Sequence, residues 1–449
     1  MGNLKERLYG SVHSWTFRLF WPVFVEQLFA VTINLLATVM IRSVSGAAMA
    51  GVGLLTILNA LLMNAFSSIA SGVTVIVSQK IGAQDYTGAG KAAAHSLVLV
   101  FYISIAMGAV MAFFNSQILM FLFSGAEKDV LEAAGIFFMW SNISLPLLAV
   151  FSTIAGIMRA TGNTRVPMVG SILSNAVYAA VAAVGIYAAG IGVHGSGLAL
   201  AASRLAPALF LSVWLYRGRG GVYLPRLRPR PDMKTLRPVL RIAVPSGVDS
   251  IIFNGGKLLV TVFMSGMGTP ILEANAIVNN TFNFVNLPGV TLQLISVTMV
   301  GQKYGAREYG EVKRQTFRLT GLCCLAELAA CLIMLILMSP LMNMYNPSAE
   351  TYAAAKAVML LGLICTPFFW APSFLTPQTL RATGDVTYTM WVSISSMIVL
   401  RVAGAWFFGV FLGMDLFGIW LSMIADWTGR GAFFMIRAAT MEKRMEGRG

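Results

Sequence analysis

Long apolar segments alternate with short polar loops along the whole chain. The segments run for roughly 20 to 28 residues almost without charge, and about 20 residues suffice for a helix to cross a bilayer. Their apolar residues are continuous, whereas the strands of a membrane barrel alternate apolar and polar residues. Only helices and closed barrels satisfy their backbone hydrogen bonds in lipid, so the pattern predicts an all-α polytopic membrane protein.

Twelve such segments can be placed, six on each side of one long basic loop. The predicted spans are residues 16–41, 52–78, 92–119, 131–157, 166–189, 194–216, 238–264, 274–301, 316–338, 351–378, 387–412 and 416–439. The loop "YRGRGGVYLPRLRPRPDMKTLRP" is rich in proline, glycine and arginine, which is typical of a linker. We therefore predict an N-terminal six-helix lobe at 1–216, a cytoplasmic basic linker at 217–237 and a C-terminal six-helix lobe at 238–449.

The composition agrees with a membrane protein, since 57% of the 449 residues are apolar and only 11% are charged. Soluble domains carry about 25% charged residues. The net charge of +14 does not form one patch, because all but six of the 32 lysines and arginines fall in alternate loops. The positive-inside rule then predicts that both termini lie in the cytoplasm and that the chain is multi-pass in the cytoplasmic (inner) membrane. Membrane topology therefore explains the positive net charge, and no nucleic-acid partner is expected.

The stretch "VSQKIGAQDY" returns as "VGQKYGAREY" 223 residues later. Three further pairs keep nearly this offset: "FWPVFVEQL" with "IAVPSGVDS", "MRATGNT" with "LRATGDV", and "VHGSGLALAAS" with "LFGIWLSMIAD". In "VSQKIGAQDY" and its copy, Gly82 and Gly305 can end their helices in left-handed geometry. Both "RATG" stretches can form turns at their glycines. Six spans per copy orient both copies alike. We therefore expect two lobes related by a pseudo-two-fold axis along the membrane normal, with a cleft near mid-membrane, as in alternating-access carriers.

These motifs, in a chain of six plus six spans, resemble the bacterial members of the multidrug and toxic compound extrusion (MATE) family. The stretch "VPSGVDSIIFNGGKLLV" followed by "MGTPILEANAIVNN" is similar to the seventh and eighth helices of that family. The resemblance covers about Trp21 to Arg437. It implies an antiporter that exports amphipathic, often cationic, organic compounds in exchange for protons or sodium ions. The chain departs from the family at Ala37, where an Asp is common, and at Phe253, where many members have a Glu.

Two carboxylates inside the spans are candidates for ion coupling, Glu26 and its repeat mate Asp249. A desolvated carboxyl can bind and release a proton, and Glu26 can also ligate sodium with neutral oxygens such as those of Thr32 and Asn34. The alternative for both carboxylates is a static ion pair. Lys257, further along the same span as Asp249, is a candidate charge partner because a charge inside a membrane faces a cavity or an opposite charge.

A stripe of asparagines marks the eighth span. Asn275, Asn279, Asn283 and Asn286 follow one another at i, i+4, i+8 and i+11, which places them on one helix face. Amides that face lipid are costly, so the stripe lines a cleft or, as the alternative, bonds a neighbouring helix. We assign the substrate cleft to Asn34, Asn254, Asn275, Asn279, Asn283 and Asn286. Arg401 and Asp426, in the last two spans, are predicted to form a structural pair.

Three functions fit these features. The first is the cation-coupled exporter, acting as a monomer on small molecules within membrane lipid, with no cofactor besides the coupling proton or sodium ion. The second is a flippase for a lipid-linked saccharide or lipid, although such proteins often carry a more basic cavity and extra spans. The third is a sensor or assembly partner that no longer transports. We expect no enzyme, since the sequence contains no nucleophile–base pair, phosphate loop or metal cluster.

Overall fold

The computed structural model describes residues 12–123, 127–218, 221–222 and 232–447, so most of the predicted linker lies outside the described residues. The first half of the chain forms α1 (Val12–Arg42), α2 (Gly46–Gly82), α3 (Tyr86–Phe113), α4 (Asn115–Leu122), α5 (Lys128–Ile143), α6 (Leu145–Ala160), α7 (Arg165–Ala183) and α8 (Val193–Tyr216). The second half forms α9 (Met233–Ser265), α10 (Thr269–Val285), α11 (Leu287–Gly305), α12 (Tyr309–Met344), α13 (Ala349–Ala382), α14 (Val386–Ser396), α15 (Asp415–Ala439) and α16 (Met441–Glu446). Short π-helical segments extend α7 (Val184–Ala188) and α14 (Met397–Ala403 and Ala405–Phe411).

The helices form the predicted twelve spans, six in each half. Over the described residues, nine helices are individually long and apolar enough to cross a membrane, and two bent helix pairs pass the same test together. The bent pairs are α5 with α6 and α10 with α11. The twelfth span is α15, which carries Asp415, Asp426, Arg430 and Arg437 within its 25 residues. An all-α polytopic fold is confirmed.

The chain divides by its contacts into two compact units, Met1–Val244 and Pro245–Gly449. The division falls inside α9, so the first turns of that helix belong to the first unit. Buried Val239 and Ala243 of α9 illustrate this, since both lie against Gly72 of α2, where a β-carbon would meet the Val239 carbonyl at 2.9 Å. Only a glycine allows the two helix backbones to approach this closely.

The repeated loop stretch has the same geometry in both copies. After α2 the left-handed residue is Gln84, with φ of 60°, and after α11 it is Arg307, with φ of 61°. The expectation that Gly82 and Gly305 would take this geometry is wrong, because both remain the last helical residues and the reversal comes two positions later. The glycines of both "RATG" turns do have positive φ, 81° at Gly162 and 84° at Gly384, as predicted.

Two predicted continuous spans are broken near their middles. Residues 131–157 contain a 48° bend between α5 and α6, and residues 274–301 contain a 51° bend between α10 and α11. Each second helix begins with a leucine and then a proline, Pro146 or Pro288. Proline lacks a backbone N–H and fits the first turn of a helix, so each break falls where the ladder would lose a bond.

Candidate functional site

The candidate carboxylates Glu26 and Asp249 each pair with an arginine of their own unit. Arg159 Nη1 lies 2.8 Å from Glu26 Oε1, and Arg381 Nη2 lies 2.6 Å from Asp249 Oδ2. The pairs are copies of each other, because the carboxylates are repeat mates and both arginines come from the "RATG" stretches. The duplication therefore preserved a contact between distant helices, α1 with α6 and α9 with α13.

These pairs agree with the static-ion-pair alternative for Glu26 and Asp249. The Arg159 guanidinium stands beside Glu26 Oε1 at hydrogen-bond distance, which disfavours a sodium ion at the same oxygen. The other oxygen of each carboxylate is buried and has no hydrogen-bond partner among the described residues. Their role in ion coupling stays a prediction, in which a proton would have to compete with a guanidinium.

A cavity of about 400 Å³ lies inside the second unit, between α9, α10, α13, α14 and α15. Its lining includes the whole asparagine stripe, Asn275, Asn279, Asn283 and Asn286. Of the other two amides assigned to the cleft, Asn254 is not among the lining residues. The amide of Asn254 donates to the Ser250 carbonyl at 2.7 Å, and the side chain of Asn34 lies outside the described residues.

Two asparagines of the stripe hydrogen-bond each other, and one of them also accepts from a tryptophan. The Asn279 amide donates to both the carbonyl and the side-chain oxygen of Asn275, at 2.8 and 2.9 Å. Trp420 Nε1 donates to the same Asn275 side-chain oxygen at 3.3 Å. The stripe thus combines the two predicted settings, since its members bond a neighbouring helix and also face the cavity.

Arg401 and Asp426 are brought together, as part of a larger cluster. Arg401 Nη1 and Arg430 Nη2 each lie 3.7 Å from Asp426 Oδ2, and Ser396 Oγ donates to Asp426 Oδ1 at 2.5 Å. Sequence reasoning paired Asp426 with Arg401 and did not include Arg430. The i, i+4 spacing of Asp426 and Arg430 was the signal that could have joined them on one helix face.

Three cations surround the ring of Phe253. The ring centroid lies 5.0 Å from Lys257 Nζ, 5.8 Å from Arg401 Cζ and 5.2 Å from Arg430 Cζ. An aromatic face attracts cations, so this ring partly offsets their mutual repulsion. Lys257, the candidate charge partner, forms no ion pair with Asp249 of the same helix. Among the residues that the structure describes, no carboxylate lies within ion-pair distance of Lys257.

Sequence reasoning missed Glu327, a fully buried residue in the middle of α12. Its carboxylate lies over Gly289 in the first turn of α11, where a β-carbon would stand 2.1 Å from Glu327 Oε1 and 2.5 Å from a ring carbon of Trp370. No described side chain bonds either oxygen. The first turn of a helix offers unpaired backbone N–H groups to a negative charge. A lone acid in the apolar run "LAELAACL" was the available signal.

At the bend between α5 and α6 in the first unit, the buried charge is a cation rather than a carboxylate. Arg204 of α8 is buried, and its Nη1 donates to the Ser141 carbonyl at 3.0 Å and to Ser144 Oγ at 2.8 Å. Ser141 and Ser144 lie at the end of α5 and in the bend before α6, where carbonyl groups lose their helical partners. Buried side chains of opposite charge therefore lie beside the bends of the two units.

The chain matches one protein family twice. The profile of the family described as MatE matches residues 22–184 and again residues 245–407. The two matches begin 223 residues apart, which is the offset of the sequence repeat.

Individual relatives are similar over nearly the whole chain. An uncharacterised transporter of Bacillus subtilis, YisQ, is 25% identical and covers 92% of this chain and 91% of its own. A probable multidrug resistance protein of Thermotoga maritima, NorM, is 22% identical, over 91% of this chain and 88% of that protein. A solved structure described as an outward-facing conformation of a multidrug resistance MATE family transporter of the MOP superfamily has a TM-score of 0.90 at 18% identity and covers 98% of both chains. The last likeness establishes the fold.

Proposed function

The chain belongs to the MatE family, and from this premise we propose that it is an antiporter that exports amphipathic organic compounds by alternating access. Family membership makes it a multi-pass membrane transporter of small molecules rather than an enzyme. The direction of transport, the exchange for a proton or sodium ion, the monomeric state, and a place in the cytoplasmic membrane with both termini inside belong to the proposal. The basic loops predicted from the sequence support that orientation.

The cavity of the second unit is the observation that carries this proposal. Its volume of about 400 Å³ falls in the range of small-molecule sites. Aromatic rings and amides share its wall, including Phe282, Trp420 and Asn279. Apolar rings can hold the body of an amphipathic compound while amides bond its polar groups.

We propose that the buried carboxylates carry the exchange and that a proton is the coupling ion. Glu26 and Asp249 remain candidates from the sequence, but a proton reaching either must displace an arginine at 2.8 or 2.6 Å. Glu327 has no such partner among the described residues, so its protonation breaks no ion pair there. Glu327 and the cavity residue Trp370 both lie against Gly289 of α11, which links Glu327 to the wall of the proposed substrate cavity.

Efflux from proteoliposomes under separately imposed proton and sodium gradients tests this function. We expect a proton gradient to drive efflux, Glu327→Gln to abolish the response, and Glu26→Gln and Asp249→Asn to reduce it. The exposed Glu132, outside this group, provides the matched control Glu132→Gln, which should behave as wild type. Equal efflux with and without both gradients would overturn the antiport proposal, and normal coupling in Glu327→Gln would overturn the assignment of that residue.

The flippase alternative keeps one observation in its favour. Lys257 and Arg401 line the cavity, and cations in a membrane cavity suit the phosphates of a lipid-linked saccharide. The same proteoliposomes can test this with a fluorescent phospholipid whose outer-leaflet fraction is read by a quencher. Translocation of that lipid without efflux of small molecules would favour the flippase. The sensor alternative predicts neither activity.

A further inference from the structure

We propose that the cavity of the second unit binds organic anions, with the negative group between Lys257 and Arg401 and an aromatic or apolar body against the surrounding rings. This inference rests on the proposed exporter function, because it names the class of compound that the exporter carries. It differs from the organic cations that the sequence resemblance implies.

The charged residues in the described lining of the cavity are all positive. Lys257 and Arg401 are the cations of the described lining, and that lining includes no aspartate or glutamate. Behind the wall, Asp426 is shared by Arg401 and Arg430 at 3.7 Å each. Among the described residues, the three cations around Phe253 therefore have one carboxylate, Asp426, in their cluster, and the nearby Asp249 is already paired with Arg381.

An excess of about two positive charges follows from these pairs. In a medium of low effective dielectric constant, such an excess repels a cationic compound and attracts an anionic one. A charge inside a membrane protein without a counter-charge is unfavourable, so an anion bound in the cavity offsets a cost that the unpaired cations otherwise carry.

Two hydrogen-bond donors of the cavity lining have features that suit an anion. Lys257 is accessible from the cavity, and its ammonium has no described carboxylate partner. Trp427 is 5% exposed and lines the cavity, yet its Nε1 has no hydrogen-bond partner among the described residues. An ammonium and an indole N–H can only donate, so both are suited to an anion's oxygens and neither can bond an ammonium ligand.

The aromatic residues define the rest of the ligand. Phe282 and Trp420 pack at 5.3 Å between centroids, and Phe374 lies 5.8 Å from Trp427 and 5.0 Å from Trp370. Ring clusters of this kind bind flat apolar groups by stacking and edge contacts. The ligand class is therefore an aromatic carboxylate, sulfonate or phosphate. An anionic lipid headgroup offers the same charge chemistry, and the experiment separates the two sources.

Two ligands with the same ring and opposite charge test the proposal directly. The full-length protein in phosphatidylcholine nanodiscs is titrated with 1-naphthalenesulfonate and with N,N,N-trimethyl-1-naphthylammonium, and heat of binding is measured. We expect the sulfonate to bind at least about tenfold more tightly, the factor typical of one charge-assisted hydrogen bond. Equal binding, or tighter binding of the ammonium compound, overturns the proposal.

Lys257 supplies the decisive variants because it holds no described ion pair that its loss would break. Lys257→Gln should weaken sulfonate binding by about tenfold, and Lys257→Glu should reverse the preference between the two ligands. Lys356→Gln removes one positive charge from a residue outside the cavity lining and should leave both affinities unchanged. Unchanged sulfonate affinity in Lys257→Gln overturns the site even if the ligand preference holds.

Nanodiscs with added phosphatidylglycerol identify the source of the anion. If this lipid weakens sulfonate binding to wild type but not to Lys257→Gln, a headgroup occupies the site; if it has no effect, the free organic anion is the ligand. Both results support an anion site. Sulfonate binding without any efflux would refute the exporter and leave the site, whereas efflux of the ammonium compound without sulfonate binding would refute the site and leave the exporter.

Discussion

Removing one partner of the Asp249–Arg381 pair should destabilise the second unit strongly. The two atoms are 2.6 Å apart, and the Asp249 and Arg381 side chains are only 13% and 10% exposed. Breaking a buried pair by removing one partner typically costs about 3 to 5 kcal/mol, because it leaves an uncompensated charge. Since some solvent reaches both side chains, we expect the lower end, about 3 kcal/mol, for Arg381→Gln.

The double variant distinguishes a lost ion pair from general damage. Asp249→Asn combined with Arg381→Gln removes both charges, so its cost should fall to about 1 kcal/mol, the value of an ordinary hydrogen bond. Thermal unfolding in detergent, followed by tryptophan fluorescence at one scan rate, measures this. A unit of about 200 residues loses about 2 to 4 °C in Tm per kcal/mol, so Arg381→Gln should unfold about 6 to 12 °C earlier than wild type.

The repeat provides an internal control for this prediction. Arg159→Gln should lower Tm by a similar amount, and Glu26→Gln in the same chain should restore most of it, since that pair has the same geometry at 2.8 Å. Wild-type Tm in either single variant, or a double variant no more stable than its worse parent, would refute the view that these are structural ion pairs.

Three further predictions concern single contacts. Gly289→Ala places a methyl group 2.1 Å from Glu327 Oε1, so it should lower the free energy of unfolding by about 1 to 3 kcal/mol. Adding Glu327→Ala should recover part of that stability. Wild-type thermal stability in Gly289→Ala would contradict the packing. Trp427→Phe keeps the ring but removes the indole donor, so calorimetry should show about threefold to tenfold weaker binding of 1-naphthalenesulfonate, while unchanged affinity would show that the donor is unused. The Lys80 ammonium and the Gly88 N–H lower the pKa of Asp85 below its ordinary 3.8. The Asp85 contribution to stability is therefore full at neutral pH and lost as the pH falls below that value, so the Tm difference between wild type and Asp85→Asn should vanish in acid; a difference that persists there would contradict the ion pair.

Periodicity and charge along the chain were sufficient for the fold. The length of the apolar segments predicted the twelve spans. The 223-residue offset of the repeated stretches predicted the duplication, and the two family matches begin at the same offset. The bends at Ser144 and Asn286 escaped prediction although a proline follows each within two residues, because proline is tolerated in many spans without a break. Left-handed geometry at Gln84 rather than Gly82 reflects where the loop reverses, which a glycine alone does not specify.

The site was less accessible to sequence reasoning, because its contacts join residues that are far apart in the chain. Asp249 and Arg381 are 132 positions apart. Each alone has a local interpretation, Asp249 as a candidate coupling group and Arg381 as part of an "RATG" turn. The polar residues of the cavity were found where they form a pattern, as in the asparagine stripe. Glu327 offers only the signal of a lone acid in an apolar run, and Arg430 only its i, i+4 spacing from Asp426, so the packing of α12 and α15 is needed to identify their other neighbours.

Proton-driven efflux of 1-naphthalenesulfonate from proteoliposomes requires the transporter, the coupling and the anion site together, so one measurement tests all three. We expect an imposed proton gradient to accelerate sulfonate efflux, Lys257→Glu to abolish it while the ammonium analogue is carried instead, and Glu327→Gln to remove the dependence on the gradient. Efflux of the sulfonate that is equal in wild type, Lys257→Glu and protein-free liposomes would refute export of an organic anion through this cavity.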